Sequence, residues 1–181
     1  PAAIDTEAFE LVSFSEESAT FRHNTKLENY SGTIFNMGIK RTVQLLDKKA
    51  VEQIIGEELT DGIRIVAYET DNRLYNRGEQ EWNQKDGLPS IWILGMYKPS
   101  PNTTIVIPFK SGSKTKLGPK VNDNYFGKVP PAYLNVKDDV LFLKGDGTYR
   151  SKIGISAKRS LGLAGSYDAN GKVLTLVTYN V

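Results

Sequence analysis

"GTIFNMGIKRTVQLL", residues 32–46, alternates side chains of two kinds along most of its length. One face of this run is mostly apolar and consists of Phe35, Met37, Ile39, Arg41, Val43 and Leu45. A period of two is typical of a strand with one buried face. Upstream, ELVSF and ATFRHNTKLEN predict two more strands, and the polar cluster at 15–18 between them predicts a turn. We therefore expect a meander of three consecutive strands.

The rest of the chain predicts further strands and one short helix. Asp47 and Gly56 are placed to cap a helix of about two turns, and Val51, Ile54 and Ile55 form its apolar stripe. Asp146-Gly147 and Asn170-Gly171 each lie between apolar runs and predict two hairpins with type I′ turns. About ten strands in one flat sheet would be unfavourable. We therefore predict an all-β protein, a two-sheet antiparallel β-sandwich with one short helix, as a single domain over residues 1–181.

The segment SIWILGMYKPSPNTTIVIPF, residues 90–109, contains two apolar runs separated by a Pro-Ser-Pro break. Its first run, Ile91 to Leu94, is apolar on both faces and predicts a buried strand in the middle of the sandwich. Gly95 then has two interpretations: a backbone bend, which is the more common use of a strand glycine, or an opening for a ligand. Pro99 and Pro101 end the ladder, so we expect the strand to restart at TTIVIPF.

Composition excludes several classes of function. The 181 residues include 23 Lys and Arg against 21 Asp and Glu, so no overall field favours nucleic acid or an anionic membrane. Cysteine is absent, which excludes disulfides and thiolate chemistry. No apolar run approaches the ~20 residues of a membrane span. Because the chain begins at Pro1 without a leader, we expect a processing boundary there, with upstream sequence removed.

Motif searches do not predict a known active site. HExxH, Walker, GxGxxG and GxSxG patterns are missing, and Ser111 with Lys114 matches S-x-x-K without a helical pattern after it. The single histidine, His23, is a candidate acid or base, but a lone strand histidine is more often structural. The lysines of residues 110–128 are typical of a solvated face, since only Tyr125 and Phe126 accompany them. We expect no metal and no cofactor.

The residues from Tyr68 to Trp92 combine carboxylates, amides and aromatic rings. Sugars are recognised by planar hydrogen-bonding groups together with aromatic faces that cover the C–H side of the ring. The alternative is that Trp82 belongs to the core or its rim and that the acids are solvated loop residues.

Several segments resemble a bacterial protein family of Bacteroidetes type that is associated with the galactose-mutarotase-like supersandwich. They are TKLENYSGTIFNMGIKRTVQLL, VAYETDNRLYNRGEQEW, GLPSIWILGMYKPSPNTTIVIPF, VNDNYFGKVP and FLKGDGTYRSKIGIS, and the likeness extends over roughly residues 9–180. The resemblance implies a complete or C-terminal part of such a sandwich, a sugar on its concave face, and a periplasmic or secreted protein. Aldose 1-epimerases of that superfamily are longer and carry an Asn-His pair where this chain has Asn29-Tyr30.

Three hypotheses follow. The leading one is a carbohydrate-binding protein that uses Arg41, Asp71, Asn72, Trp82 and Trp92 together with Glu69. Arg41 lies on the apolar face of its strand, so a structural ion pair with Glu69 or Asp71 is its alternative role. The second is an epimerase-like or glycoside-processing enzyme, with His23 as acid and Glu69 or Glu79 as base. The third is a structural or protein-interaction module with an exposed apolar face or edge strand and no sugar-sized cleft.

Overall fold

A computed structural model describes residues 2–181 and contains two antiparallel sheets, one of four strands and one of five. Three helices accompany them: α1 (Ala2–Asp5), α2 (Lys48–Ile55) and α3 (Lys114–Leu117). The prediction of an all-β protein with two antiparallel sheets is confirmed. The chain divides into two compact units, Pro1–Leu94 and Gly95–Val181, with one sheet in each. No helix among the described residues is long and apolar enough to cross a membrane.

The N-terminal sheet is the expected meander with a fourth strand added. Its strands pair in the order of the chain: β1 (Glu10–Phe14), β2 (Ser18–Glu28), β3 (Ile34–Leu45) and β4 (Tyr68–Asn76). The turn between β1 and β2 is closed by Ser15, whose Oγ accepts hydrogen bonds from the backbone N–H groups of Glu17 and Ser18. Local polar side chains thus set the meander, as the sequence predicts.

The strand register divides this sheet into two chemically different faces. Residues directly opposite one another in an antiparallel pair share a face. Phe21 pairs with Arg41 and His23 with Ile39, so the predicted apolar face of β3 is confirmed. Phe35 and Met37 are buried at one end of that face. The opposite face carries a set of polar side chains that includes Arg22, Asn24, Lys26, Asn36 and Lys40.

Helix α2 has the predicted caps. The Asp47 carboxylate accepts a hydrogen bond from the N–H of Ala50, and Gly56 ends the helix in the left-handed conformation at φ 74°. The N–H of Gly56 donates to the carbonyl of Glu52, so the last turn is closed.

The C-terminal sheet has the order β6-β7-β5-β8-β9. Its strands are β5 (Thr103–Pro108), β6 (Leu134–Val136), β7 (Val140–Lys144), β8 (Leu163–Asp168) and β9 (Val173–Thr178). The predicted hairpin between β8 and β9 is confirmed. Its turn differs, because the positive φ falls on Lys172 at 51° and not on Asn170-Gly171. The loop is two residues longer than a type I′ connection, which moves the left-handed residue to its end.

The predicted hairpin at Asp146-Gly147 is wrong. Strand β7 pairs with β6 on one side and β5 on the other, so no edge is left for a returning strand. After the turn, residues 149–162 form only isolated bridges, at Gly154 and Ser160. Asp146 instead accepts hydrogen bonds from its own turn, from the N–H and the Oγ of Thr148.

The predicted buried strand at Ile91 to Leu94 is also wrong. Residues 88–100 have no regular secondary structure, and Trp92 and Met96 are 77% and 86% exposed. In the described residues β4 pairs with β3, and β5 pairs with β7 and β8, so this run has no ladder partner. Residues 63–67, directly before β4, also have no regular secondary structure. We call residues 91–97 the exposed apolar segment. The restart after the prolines is confirmed, because β5 begins at Thr103.

Gly95 does not bend a strand, because it lies outside the strands of both sheets. The ring of Tyr97 lies over it, and a Cβ at Gly95 would be 3.2 Å from Tyr97 Cε2. The glycine therefore makes room for a neighbouring side chain within the exposed apolar segment.

Candidate functional site

The residues predicted to bind sugar do not converge in the structure. Arg41 and Asn72 are opposite each other on the apolar face of the N-terminal sheet. Glu69 pairs with Gln44 and Asp71 with Thr42, which places both carboxylates on the polar face. The predicted ion pair of Arg41 with Glu69 or Asp71 is therefore wrong, because the pleat directs these side chains to opposite sides.

Asp71 has a different partner from the one predicted. The Arg73 Nε donates to Asp71 Oδ2 over 2.8 Å, and both residues lie on the polar face. This hydrogen bond holds the pKa of the Asp71 carboxyl below its ordinary value. Asn72 bonds within its own strand, since its Nδ2 donates to Thr70 Oγ1.

The two tryptophans have different surroundings. Trp82 is half-buried and meets the ring of Phe35 edge-on, with the ring centroids 6.3 Å apart. This contact agrees with the alternative that Trp82 belongs to the rim of the core. Trp92 lies in the exposed apolar segment, and no aromatic contact to it is found in the described residues.

His23 lies on the apolar face, away from the proposed bases. Its ring is 4.9 Å from that of Phe9, and its Nε2 lies 3.2 Å from Glu7 Oε2. Within residues 2–181 this buried Nε2 has no aligned hydrogen-bond partner. Glu69 is on the other face, and Glu79 is exposed in the turn after β4. The sheet thus keeps His23 and Glu69 from facing one pocket.

Asn29, from the segment compared with the epimerases, has a structural role. Its Oδ1 accepts hydrogen bonds from the N–H groups of Ser31 and Thr33, and its Nδ2 donates to the carbonyl of Asp86. The two hydrogen bonds that Asn29 accepts close the turn between β2 and β3, and the one that it donates connects this turn to Asp86. Tyr30, in the position of the epimerase histidine, is fully exposed.

The polar face of the N-terminal sheet contains an open groove of about 450 Å³. Its lining residues come from β2, β3 and the end of β4: Arg22, Asn24, Thr25, Lys26, Asn36, Met37 and Arg77. The residues that the sequence predicts for sugar binding or catalysis are not among them. We call this cavity the basic groove, because three of its seven lining residues, Arg22, Lys26 and Arg77, carry cationic side chains.

The basic groove is built from rows of residues that lie opposite one another on three adjacent strands. In the first row Lys26 pairs with Asn36, and the N–H of Arg77 donates to the carbonyl of Asn36. In the second row Gly38 lies between Asn24 and Tyr75. Strands in a sheet are about 4.8 Å apart, so the side chains of one row are close enough to share a small ligand.

A third row borders the groove and consists of Arg22, Lys40 and Arg73. Like charges directly opposite one another destabilise an antiparallel pair. Glu10 offsets part of this repulsion, because its carboxylate accepts a hydrogen bond from Arg22 Nη2 over 2.8 Å. Asp71 does the same for Arg73.

Most of the polar groups in the groove have no hydrogen-bond or ion-pair partner among the described residues. In the part of the chain that the structure describes, the side chains of Asn24, Lys26 and Asn36 make no hydrogen bond or ion pair. Arg77 has no carboxylate there either, and its guanidinium lies 5.3 Å from the centroid of the Tyr75 ring. These donors and acceptors are therefore available to a ligand.

Gly38 gives the groove part of its space. A Cβ at this buried position would lie 2.9 Å from Arg77 Nε and 3.2 Å from Asn24 Oδ1. Any larger residue would displace the two side chains that line the groove on either side. The glycine is needed here for space, since its φ is not in the left-handed region.

Sequence reasoning missed the basic groove, although a signal for it was present. Alternate positions 22, 24 and 26 of β2 and position 36 of β3 are all basic or amide, on the face opposite the apolar one. The two tryptophans, which suggested a sugar site in the sequence, do not line the groove.

The basic loop of residues 110–128 is ordered by internal contacts. Lys128 and the N–H of Val129 donate to buried Asp123 and lower the pKa of its carboxyl. Lys152 lies 4.2 Å from the centroid of Tyr125, and Arg150 lies 4.4 Å from that of Phe126. Each of these two rings thus has one cation over it.

An apolar cavity of about 420 Å³ in the C-terminal unit is lined largely by aliphatic side chains, including Ile107, Ile153 and Ile155. Among the described residues no group of three or more His, Asp or Glu side chains is placed to hold a metal ion.

Taken together, the molecule is an all-β protein with a basic, amide-lined groove on one sheet face. A family model described as "Family of unknown function (DUF6786)" matches residues 1–181, so the chain belongs to that family. No curated protein and no solved structure matches the chain.

Proposed function

We propose that this protein binds carbohydrate in the basic groove of its N-terminal sheet. The observation that carries the proposal is the set of unpartnered amide and cationic side chains on adjacent strands, Asn24, Lys26, Asn36 and Arg77. Sugar hydroxyls both donate and accept hydrogen bonds, and an amide side chain can likewise donate and accept at the same time. The proposed kinship with galactose-mutarotase-like proteins favours the same ligand class.

The rigid position of these groups supports the proposal. Asn24 and Asn36 lie within long strands, and β2 and β3 pair along their full lengths from Ser18 to Glu28. Groups held on strands lose little freedom when a ligand binds, which lowers the entropic cost of recognition. The groove volume of about 450 Å³ lies in the range of small-ligand sites.

The proposal is a binding function without assigned catalysis. His23 and Glu69 lie on opposite faces of one sheet, so the acid and base named for an epimerase do not meet. Among the described residues, neither His23 nor any carboxylate lines the groove.

Isothermal titration calorimetry against neutral and acidic oligosaccharides tests the proposal. We expect saturable binding that Asn24→Ala and Asn36→Ala each weaken about tenfold, since a polar contact contributes ~1 kcal/mol or somewhat more. Asn72→Ala removes an amide from the other face and serves as the matched control. If the folded protein binds none of the saccharides, or if only Asn72→Ala weakens binding, the groove proposal is wrong.

A second candidate function is protein interaction through the exposed apolar segment. Ile91, Trp92, Leu94, Met96 and Tyr97 are all solvent-exposed, and patches of this kind mark interaction sites in soluble proteins. Light scattering of the full chain and of Trp92→Ser/Leu94→Ser tests it. Concentration-dependent association that the double substitution abolishes would support this function, whereas equal monomer populations would oppose it.

A further inference from the structure

We infer that the basic groove selects an acidic sugar, one that carries a carboxylate or a sulfate ester next to Lys26 and Arg77. This inference rests on the proposed function and adds the chemical class of the ligand. The negatively charged group would lie over the first row, between the two cations that flank Asn36.

The first step is the charge of the groove. Among the described residues, three cations and no carboxylate line it. Glu10 and Asp71, on the same face, already accept hydrogen bonds from Arg22 and Arg73. Glu28 lies beyond the first row on β2, and its carboxylate is turned toward Gly32, with Oε1 3.9 Å from where a Cβ there would be. The local charge is therefore positive, although the chain as a whole is close to neutral.

The second step is the energetic state of these cations. Uncompensated like charges repel one another on a sheet face, and a bound anion would offset this repulsion. Arg77 offers a planar fork that matches the two oxygens of a carboxylate or sulfate, and Lys26 adds a mobile point charge. In the described residues neither has an acidic partner with which the ligand would compete.

The third step separates a sugar from a bare anion. Asn24 and Asn36 are neutral, and their side chains make no hydrogen bond within residues 2–181. An inorganic anion leaves the donor and acceptor pairs of these amides unused, whereas the hydroxyls of a sugar ring can satisfy both. Tyr75, in the second row, adds a phenol group beside Gly38.

The test is a calorimetric comparison of matched probes on the full chain: an oligogalacturonide, the same oligosaccharide with its carboxyl groups reduced, a sulfated oligosaccharide and inorganic sulfate. We expect the acidic probes to bind at least tenfold more tightly than the reduced one. We also expect their affinity to fall as salt is raised, because the contact is between exposed charges. Binding of the sulfated probe alone would assign the anion to a sulfate ester, and binding of the oligogalacturonide alone would assign it to a carboxylate.

Charge variants locate the contact. Lys26→Gln and Arg77→Gln should each weaken the acidic probe at least tenfold and leave the reduced probe little changed. Lys49→Gln, in helix α2, removes the same charge outside the groove and should have no effect. Arg77→Lys keeps the charge but not the fork, and circular dichroism of each variant verifies folding.

The remaining outcomes distinguish the two proposals. Equal affinity for the acidic and reduced oligosaccharides overturns the inference and leaves the proposed function standing. Sulfate that binds as tightly as either acidic saccharide overturns the carbohydrate proposal and with it this inference. No binding by any probe overturns both.

Discussion

At the scale of single residues, Arg159 is the most unusual side chain of the molecule. It is only 1% exposed and has no carboxylate partner in the part of the chain described. Its guanidinium instead donates to three backbone carbonyls, those of Gly118, Lys110 and Gly112, over 3.0, 2.7 and 3.0 Å. One side chain therefore holds both ends of the segment that contains α3.

We expect Arg159→Met to lower the free energy of unfolding by about 3 kcal/mol or more, because three buried carbonyls lose charge-assisted donors. Arg159→Lys should recover little, since an ammonium lacks the planar fork that reaches carbonyls on three sides. Denaturant titration measures both changes. Lys158→Met, at the exposed neighbouring position, is the control and should lie within 0.5 kcal/mol of the parent, as ordinary surface changes do. An equal effect of the two Met variants would contradict the role given to Arg159.

Asp146 predicts an acid-sensitive step in stability. Hydrogen bonds from Lys144, and from the N–H and Oγ of Thr148, lower the pKa of its carboxyl to about 2. A lowered pKa contributes stability above the unfolded value of 3.8, and this contribution is lost as pH falls through about 2.

Asp146→Asn should therefore reduce stability near pH 6 and flatten its decline between pH 4 and pH 2. Thermal unfolding followed at a series of pH values measures this slope. Asp138→Asn removes a carboxylate that is fully exposed and should keep the parent's slope. An unchanged slope in Asp146→Asn would show that this turn does not respond to acid.

At the scale of secondary-structure elements, the β8–β9 hairpin shows how a turn differs from its sequence motif. Asn170-Gly171 is a common type I′ pair, yet the left-handed residue is Lys172. Gly171 is confined for another reason, because a Cβ there would be 2.8 Å from Asp168 Oδ2. Asp168 also accepts hydrogen bonds from Ser100 Oγ and from the N–H of Asn170. The side chain of Asp168 thus organises the turn.

Lys172→Gly should stabilise the hairpin by about 0.5 kcal/mol. A left-handed non-glycine residue costs ~1–2 kcal/mol, and the entropic cost of glycine, ~0.5–1 kcal/mol, offsets part of the gain. Urea titration measures the difference. Ala169→Gly, in the same loop but without a positive φ, should destabilise slightly. A loss of stability in both variants would contradict the strain assigned to Lys172.

At the scale of the whole molecule, charge and apolar surface are both unevenly distributed. The net charge of the whole chain is only +2, but among the described residues the basic groove is lined by three cations and by no carboxylate. Among the described residues, few large apolar side chains are buried, and these include Phe35, Phe109 and Leu141, whereas the exposed apolar segment is open to solvent. This segment spans the boundary between the two compact units, after Leu94.

We expect chymotrypsin to cut early within residues 91–97, because an exposed segment without ladder hydrogen bonds fits a protease active site without unfolding. The cut should release two fragments of about half the chain each, identified by mass spectrometry after denaturation. Replacing Trp92, Leu94, Met96 and Tyr97 together by Ser should abolish that early cut. Protection of the segment until global unfolding would mean that it is a strand, as the sequence pattern suggests.

The fold was predictable wherever the cause was local. Alternation along β2 and β3, the Ser15 turn and the caps Asp47 and Gly56 all act within a few residues of one another. Two strand predictions are wrong, the one at residues 91–94 and the one after Asp146. Both segments have a side-chain pattern that suits a strand, but neither has a strand edge to pair with. That residues 1–181 form a single domain stays a prediction.

The all-β class, the meander, the two-faced third strand and the capped helix follow from the sequence, because they depend on side-chain period and on contacts between near neighbours. Which polar residues meet depends on the tertiary structure. It placed Arg41 and Asp71 on opposite faces, joined Lys26, Asn36 and Arg77 in one row, and surrounded Arg159 with distant carbonyls. Strand register and chain crossing set these contacts, and both depend on pairings across dozens of residues that no local pattern specifies.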